Sequence, residues 1–156
     1  ITELKDQMLP GTSERSQRHP FLHVSYSNSF GLASVRPPHR VCRVRRIINK
    51  LRIPAVDRHY CWSGKAPDGK GAQVDLVLES KSAATDYLCE MKFSAGKYLI
   101  TANEADNMLH KIDAFANSKM HNKSRSIQLV MVAATGLAQG YHTSIVNNVI
   151  TLDDLF

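Results

Sequence analysis

GAQVDLVLESKSAATDYLCEMKFSAG, residues 71–96, decides how this chain folds. Its two apolar runs, VDLVL and LCEMKF, lie in segments VDLVLES and YLCEMKF that flank the polar connection KSAATD, which predicts two interior strands joined as a hairpin. Charge is costly inside such strands, yet Asp75 interrupts the first, and Glu90 and Lys92 interrupt the second. Side chains alternate along a strand, so Glu90 and Lys92 share one face while Cys89, Met91 and Phe93 share the other. Antiparallel pairing brings Asp75 to the face of Glu90 and Lys92. Two carboxylates held close together repel unless positive charge lies between them. Lys92 offsets part of that repulsion, and a hard divalent cation, Mg²⁺ or Mn²⁺, would offset more by taking both as oxygen ligands. A lysine beside such an ion can orient an attacking water and stabilise charge on a phosphate, which suits metal-assisted phosphodiester hydrolysis. An ordinary ion pair on the polar face of two half-exposed strands has the same spacing, so spacing alone leaves both readings open.

Working outward, residues 1–38 carry no sustained periodicity, and PGTSERSQRHP and SVRPPH read as loop or poorly ordered chain. From His39 to Arg52, Val41, Val44, Ile48 and Leu51 recur at helical spacing, with Pro54 closing the helix. AVDRHYCW alternates as a strand with Val56, Tyr60 and Trp62 on one face, Trp62 being a core residue. GKAPDGKG is a turn-forming loop, and KYLI reads as a short extra strand. Thr101 and Glu104 form a capping box for a helix whose stripe is Ala105, Met108, Leu109, Ile112, Phe115 and Ala116. SIQLVMVAA is a buried strand and NNVITL a weaker final one. His59, His110, His121 and His142 are scattered and read as surface or partly satisfied positions. Ser94 and Lys97 read as a plain turn, and Asp153 and Asp154 as a solvated cap.

The 156 residues supply one domain with a real core. No apolar run is long enough to span a bilayer, so no membrane partner is expected. Cys42, Cys61 and Cys89 form no metal-ligand spacing, and their odd count argues against a disulfide framework, which points to a cytoplasmic chain. A start at Ile1 reads as a fragment or the tail of a longer protein. The net charge of +6 is uneven: residues 1–60 hold eleven Lys and Arg against four Asp and Glu, the remainder nine against ten. Arg40, Arg43, Arg46 and Lys50 are expected on the outer face of the first helix, where they would meet nucleic-acid phosphates; a solvated face is the plainer alternative.

GAQVDL at 71–76 and CEMKF at 89–93, with Lys111, Ile112 and Phe115, TGL at 135–137 and VITLDDLF at 149–156, give a more specific ordered set. Over residues 41–156 it resembles the PD-(D/E)XK nuclease core, and more closely the C-terminal nuclease-like domain of a group of bacterial AAA-type ATP-binding proteins. The resemblance implies an α/β, restriction-endonuclease-like αβββαβ core, a mixed central sheet flanked by helices, over residues 39–156. It also implies Mg²⁺ (or Mn²⁺) held by Asp75, Glu90 and the main-chain carbonyl of Met91, with Lys92 as catalytic lysine and DNA as substrate.

This chain departs from that pattern. Relatives often carry a Glu in the first helix, whereas no acidic residue lies between Gly31 and Asp57. No GxxxxGK[ST] loop occurs, so the ATPase domain is missing or separate, and a truncated copy with weak or no activity is expected. Two functional classes follow: a metal-dependent nuclease, or a catalytically silent module that binds nucleic acid or forms the structural tail of a larger ATPase.

Overall fold

A computed structural model describes residues 38–156, with side chains from Arg43 onward. Residues 1–37 and the side chains of Arg40 and Cys42 lie outside the described residues. Helix α1 (Pro38–Lys50) is followed by β1 (Arg58–Lys65), β2 (Gly71–Ser80), β3 (Thr85–Lys92), α2 (Ala102–Ala116), β4 (Ser126–Ala133) and the short β5 (Asn148–Ile150). The expected αβββαβ order is present. The strands form one mixed sheet in sequence order: β1, β2 and β3 pair antiparallel, whereas β4 and β5 are added parallel. A parallel neighbour needs a crossover, and α2 supplies it between β3 and β4.

The two helices cover opposite faces. Ala105, Met108, Ala114 and Phe115 of α2 pack with Trp62, Val74, Val77, Leu88, Leu129 and Met131. Ile47 of α1 packs with Leu76, Leu78, Tyr87, Cys89, Val130 and Ile150. Phe115 meets Trp62 edge-on, with ring centroids 5.4 Å apart. Six of the eight β3 residues are buried, as befits an interior strand with both faces covered.

Local chemistry explains the element ends. Thr101 and Glu104 make the capping box of α2. Helix α1 ends in a Schellman motif, not at Pro54: Ile53 N–H bonds to Ile48 C=O, Arg52 N–H bonds to Asn49 C=O, and Arg52 takes a left-handed φ of 53°. Four residues, 81–84, close the β2–β3 hairpin.

Four expectations are corrected. KYLI is not a strand; only an isolated bridge joins Tyr98 to Leu137, because the chain there is turning into the α2 cap. Val56 precedes β1 and packs with the α1-side cluster, whereas Tyr60 and Trp62 face α2. Leu109 is exposed, and Ala114 takes its place in the buried stripe of α2. Asp154 is not a freely solvated cap: it accepts from Thr151 N–H and pairs with Lys50 at 2.6 Å.

Candidate functional site

The β2–β3 ladder runs from Ser80 opposite Thr85 to Leu76 opposite Cys89 and stops there. One further step would set Asp75 opposite Glu90. A bulge lies at the same level on the other side of β2: Tyr60 pairs with Val77 and Trp62 with Val74, so Asp75 and Leu76 together oppose Cys61. Alternation breaks as a result, and Val74 and Val77 both face α2. In place of the next ladder bond, Asp75 Oδ2 accepts the main-chain N–H of Met91 at 2.9 Å. The side chain of Asp75 is thereby held against the backbone that carries Glu90 and Lys92.

Glu90 is 2% exposed and faces α2, where Lys111 Nζ donates to its Oε2 at 2.6 Å. Its Oε1 is buried with no hydrogen-bond partner. Burial pushes the Glu90 carboxyl above its ordinary value; Lys111 opposes that shift most, Asp75 adds to it and Lys92 reduces it. These contributions place Asp75, Glu90, Lys92 and Lys111 in one electrostatic neighbourhood. The Lys92 amine stands 6.0 Å from the centre of the Tyr98 ring, and the Tyr98 hydroxyl donates to Glu104 at the start of α2. Met91 contributes its N–H, and its side chain packs on the α1 side. Among the described residues, no three His, Cys, Asp or Glu side chains gather as a metal site; Asp75 and Glu90 are two carboxylates only.

The expected phosphate-binding helix is less free than its sequence suggests. Arg46 is exposed, but the Arg43 guanidinium lies 5.8 Å from the centre of the Phe156 ring, and Lys50 is paired with Asp154. Ser94 Oγ turns back to Gly96 C=O, as a plain turn would.

Sequence reasoning missed a second polar cluster on the same sheet face. Glu79 and Asp86 are register partners at the hairpin end of β2 and β3, and both are essentially inaccessible. Arg58 grips Glu79 through Nε at 3.0 Å and Nη2 at 2.8 Å, and Tyr60 donates to Glu79 Oε1 at 2.5 Å. Arg125 reaches both acids, 3.4 Å from Glu79 and 3.1 Å from Asp86 Oδ1, and His121 Nδ1 lies 2.8 Å from Asp86 Oδ2. Burial works against ionisation of Glu79, but Tyr60, Arg58 and Arg125 outweigh it and hold its carboxyl below the usual range. Burial dominates at Asp86, whose carboxyl is pushed up despite His121 and Arg125. Arg58, Glu79, Arg125, Lys81 and Asn122 line an open depression of about 510 Å³ beside this cluster. The missed signal was parity: Val77, Glu79 and Leu88, Asp86 carry the α2 face one step beyond its apolar residues. Lys111 was legible as helix pattern, three residues after Met108 and four before Phe115, but not as a partner of Glu90.

Comparison with known proteins adds little. No family model matches the chain, and no curated protein does. It is similar to a crystal structure titled Protein of Unknown Function AF1548, with 12% identity and a TM-score of 0.46 over 75% of this chain and 64% of that one. The chain thus spans under two-thirds of that protein's length. What is established is an α/β domain with a five-stranded mixed sheet flanked by two helices. Among the described residues, no helix is long and apolar enough to cross a membrane.

Proposed function

We propose that residues 39–156 form a PD-(D/E)XK nuclease-like domain that hydrolyses DNA phosphodiester bonds with Mg²⁺ or Mn²⁺. The supporting observation is the buried, unpartnered Glu90 Oε1 at the level where Asp75 interrupts the strand ladder. A carboxylate oxygen out of water without a partner is costly, and oxygen donors suit a hard cation. Asp75 and Glu90 would hold that ion, with water and substrate oxygens filling its remaining positions, as Mg²⁺ generally requires. When bound, it would polarise a phosphoryl oxygen and lower the pKa of a coordinated water. Lys92, on the same sheet face, would offset charge developing on the phosphate. Met91 N–H keeps Asp75 aimed, and Lys111 keeps Glu90 aimed. The exposed Arg46, with its neighbour Arg45, offers cations to the DNA backbone.

A silent, nucleic-acid-binding or structural module is the second reading, and one observation favours it. Lys111 already supplies Glu90 with a positive charge, so the site is neutralised in part without metal.

The test is calorimetric titration of the whole chain with Mg²⁺ and Mn²⁺ beside a cleavage assay on duplex and single-stranded DNA. Metal-dependent cleavage that Lys92→Ala abolishes while DNA binding persists is the expected result. Salt-sensitive DNA binding without cleavage would leave the silent module standing. Absence of any heat of cation binding would reject the metal site.

A further inference from the structure

The Lys111–Glu90 contact differs from the other ion pairs at the protein surface. Lys50, Lys70 and Lys81 keep 49%, 78% and 77% of their side chains exposed. Lys111 keeps 17%, and Glu90 keeps 3%. An amine is seldom buried so far unless a buried charge holds it there. Its position follows from the helix. Met108 and Phe115 of α2 are buried against the sheet, and Lys111 lies between them at i+3 and i−4, on the edge of the same stripe. Its ammonium is therefore delivered to the sheet face above Glu90, and only one of the two Glu90 oxygens is used.

We propose that Lys111 is an internal counter-ion that stands in for a divalent cation at Glu90, so that the domain stays folded without metal and a bound metal has to compete with it. The metal half of this statement rests on the proposed function; the counter-ion half does not. With Lys111 in place, Glu90 offers a cation Oε1 alone and carries compensated charge, so the site binds metal weakly. Without it, both oxygens and an uncompensated charge become available. Lys111 is thus a positioning residue that sets how strongly the site demands metal.

The experiment is thermal unfolding of the full chain, with and without Mn²⁺, for the parent, Lys111→Met, Glu90→Gln and the double variant. Methionine keeps the stem and its packing but removes the charge. Lys111→Met should melt lower by roughly 10 °C in metal-free buffer, as expected when one partner of a buried pair is removed. Most of that loss should return in Lys111→Met/Glu90→Gln, because no unpaired carboxylate is left; a side chain with a packing role alone would show no such recovery. Manganese should raise the melting temperature of Lys111→Met more than that of the parent and bind it about tenfold more tightly, since one repelling charge is gone. Equal stability of Lys111→Met and the parent, or a double variant no better than Lys111→Met, would overturn the counter-ion role. Equal or weaker manganese binding by Lys111→Met would overturn the competition. Recovery in the double variant with no manganese response in any protein would uphold the counter-ion and reject the metal site instead.

Discussion

The two ends of the β2–β3 hairpin carry the same kind of chemistry and treat it differently. Both set two carboxylates on or beside the α2 face, separated by the Val77–Leu88 pair. At the hairpin end, Glu79 and Asp86 are enclosed by Arg58, Tyr60, Arg125 and His121: three of the four carboxylate oxygens are hydrogen-bonded, and the fourth, Asp86 Oδ1, has no hydrogen bond but lies 3.1 Å from Arg125 Nε as an ion pair. At the open end, the ladder has come apart, Glu90 pairs with one lysine through Oε2, and its buried Oε1 has no hydrogen-bond partner. Compensated charge of the first kind holds a fold together; incompletely compensated charge of the second kind is where a ligand adds most. The carboxyl directions follow suit for the two glutamates, Glu79 held down by its partners and Glu90 pushed up by burial.

Removing Arg125 is the harshest way to break this contrast. Arg125→Met should destabilise by roughly 3–5 kcal/mol in urea unfolding, because Asp86 and Glu79 lose a shared buried cation. A change below 1 kcal/mol, on that same order-of-magnitude scale, would show that the hairpin end is not the closed network described.

Tyr60→Phe tests the same end more gently. It deletes one donor to Glu79 and leaves Arg58 in place, so a loss of about 1–2 kcal/mol is expected in the same assay.

The pH dependence sharpens the comparison next. A carboxyl held below its unfolded value contributes stability that is present above that value and lost as pH falls through the folded one. Glu79 is such a group, with an ordinary value of 4.5, so the parent should lose its contribution progressively below about that pH. Glu79→Gln should be less stable than the parent at neutral pH and show a flatter acid limb. An acid limb as steep as the parent's would place the network's linkage elsewhere.

Lys50→Ala gives the smallest expected effect. Lys50 pairs with Asp154 at 2.6 Å, but half of its side chain is in water, and exposed pairs of this kind contribute little. Its melting temperature should be indistinguishable from the parent's, in contrast to Lys111→Met. A large drop would mean that the contact of α1 with the terminal turn is worth more than its exposure implies.

Much of the open end was legible in advance. Alternation put Glu90 and Lys92 on one face and Cys89 and Met91 on the other, and that is their arrangement. The hairpin end was not legible, although Glu79 and Asp86 stand in the same two strands, because KSAATD, with Asp86 in it, reads as a polar connection and Glu79 as the polar end of its strand until the register is known. Glu79 and Asp86 then prove to be paired and buried, not solvated.

By itself, the sequence determined the order of elements, the hairpin, the capping box at Thr101 and Glu104, and the faces of β3. Those depend on periodicity and on hydrogen bonds spanning a few residues, and both are written in neighbouring positions. Tertiary structure alone decided which cation meets which carboxylate. Lys111 is 21 residues from Glu90, His121 is 35 from Asp86, and Arg125 is 46 from Glu79. It also decided where the strands part at Asp75. The energy of a buried charge depends on its distance to the opposite charge in a medium of low polarity, and that distance is set only when α2 and the chain after it fold back across the sheet.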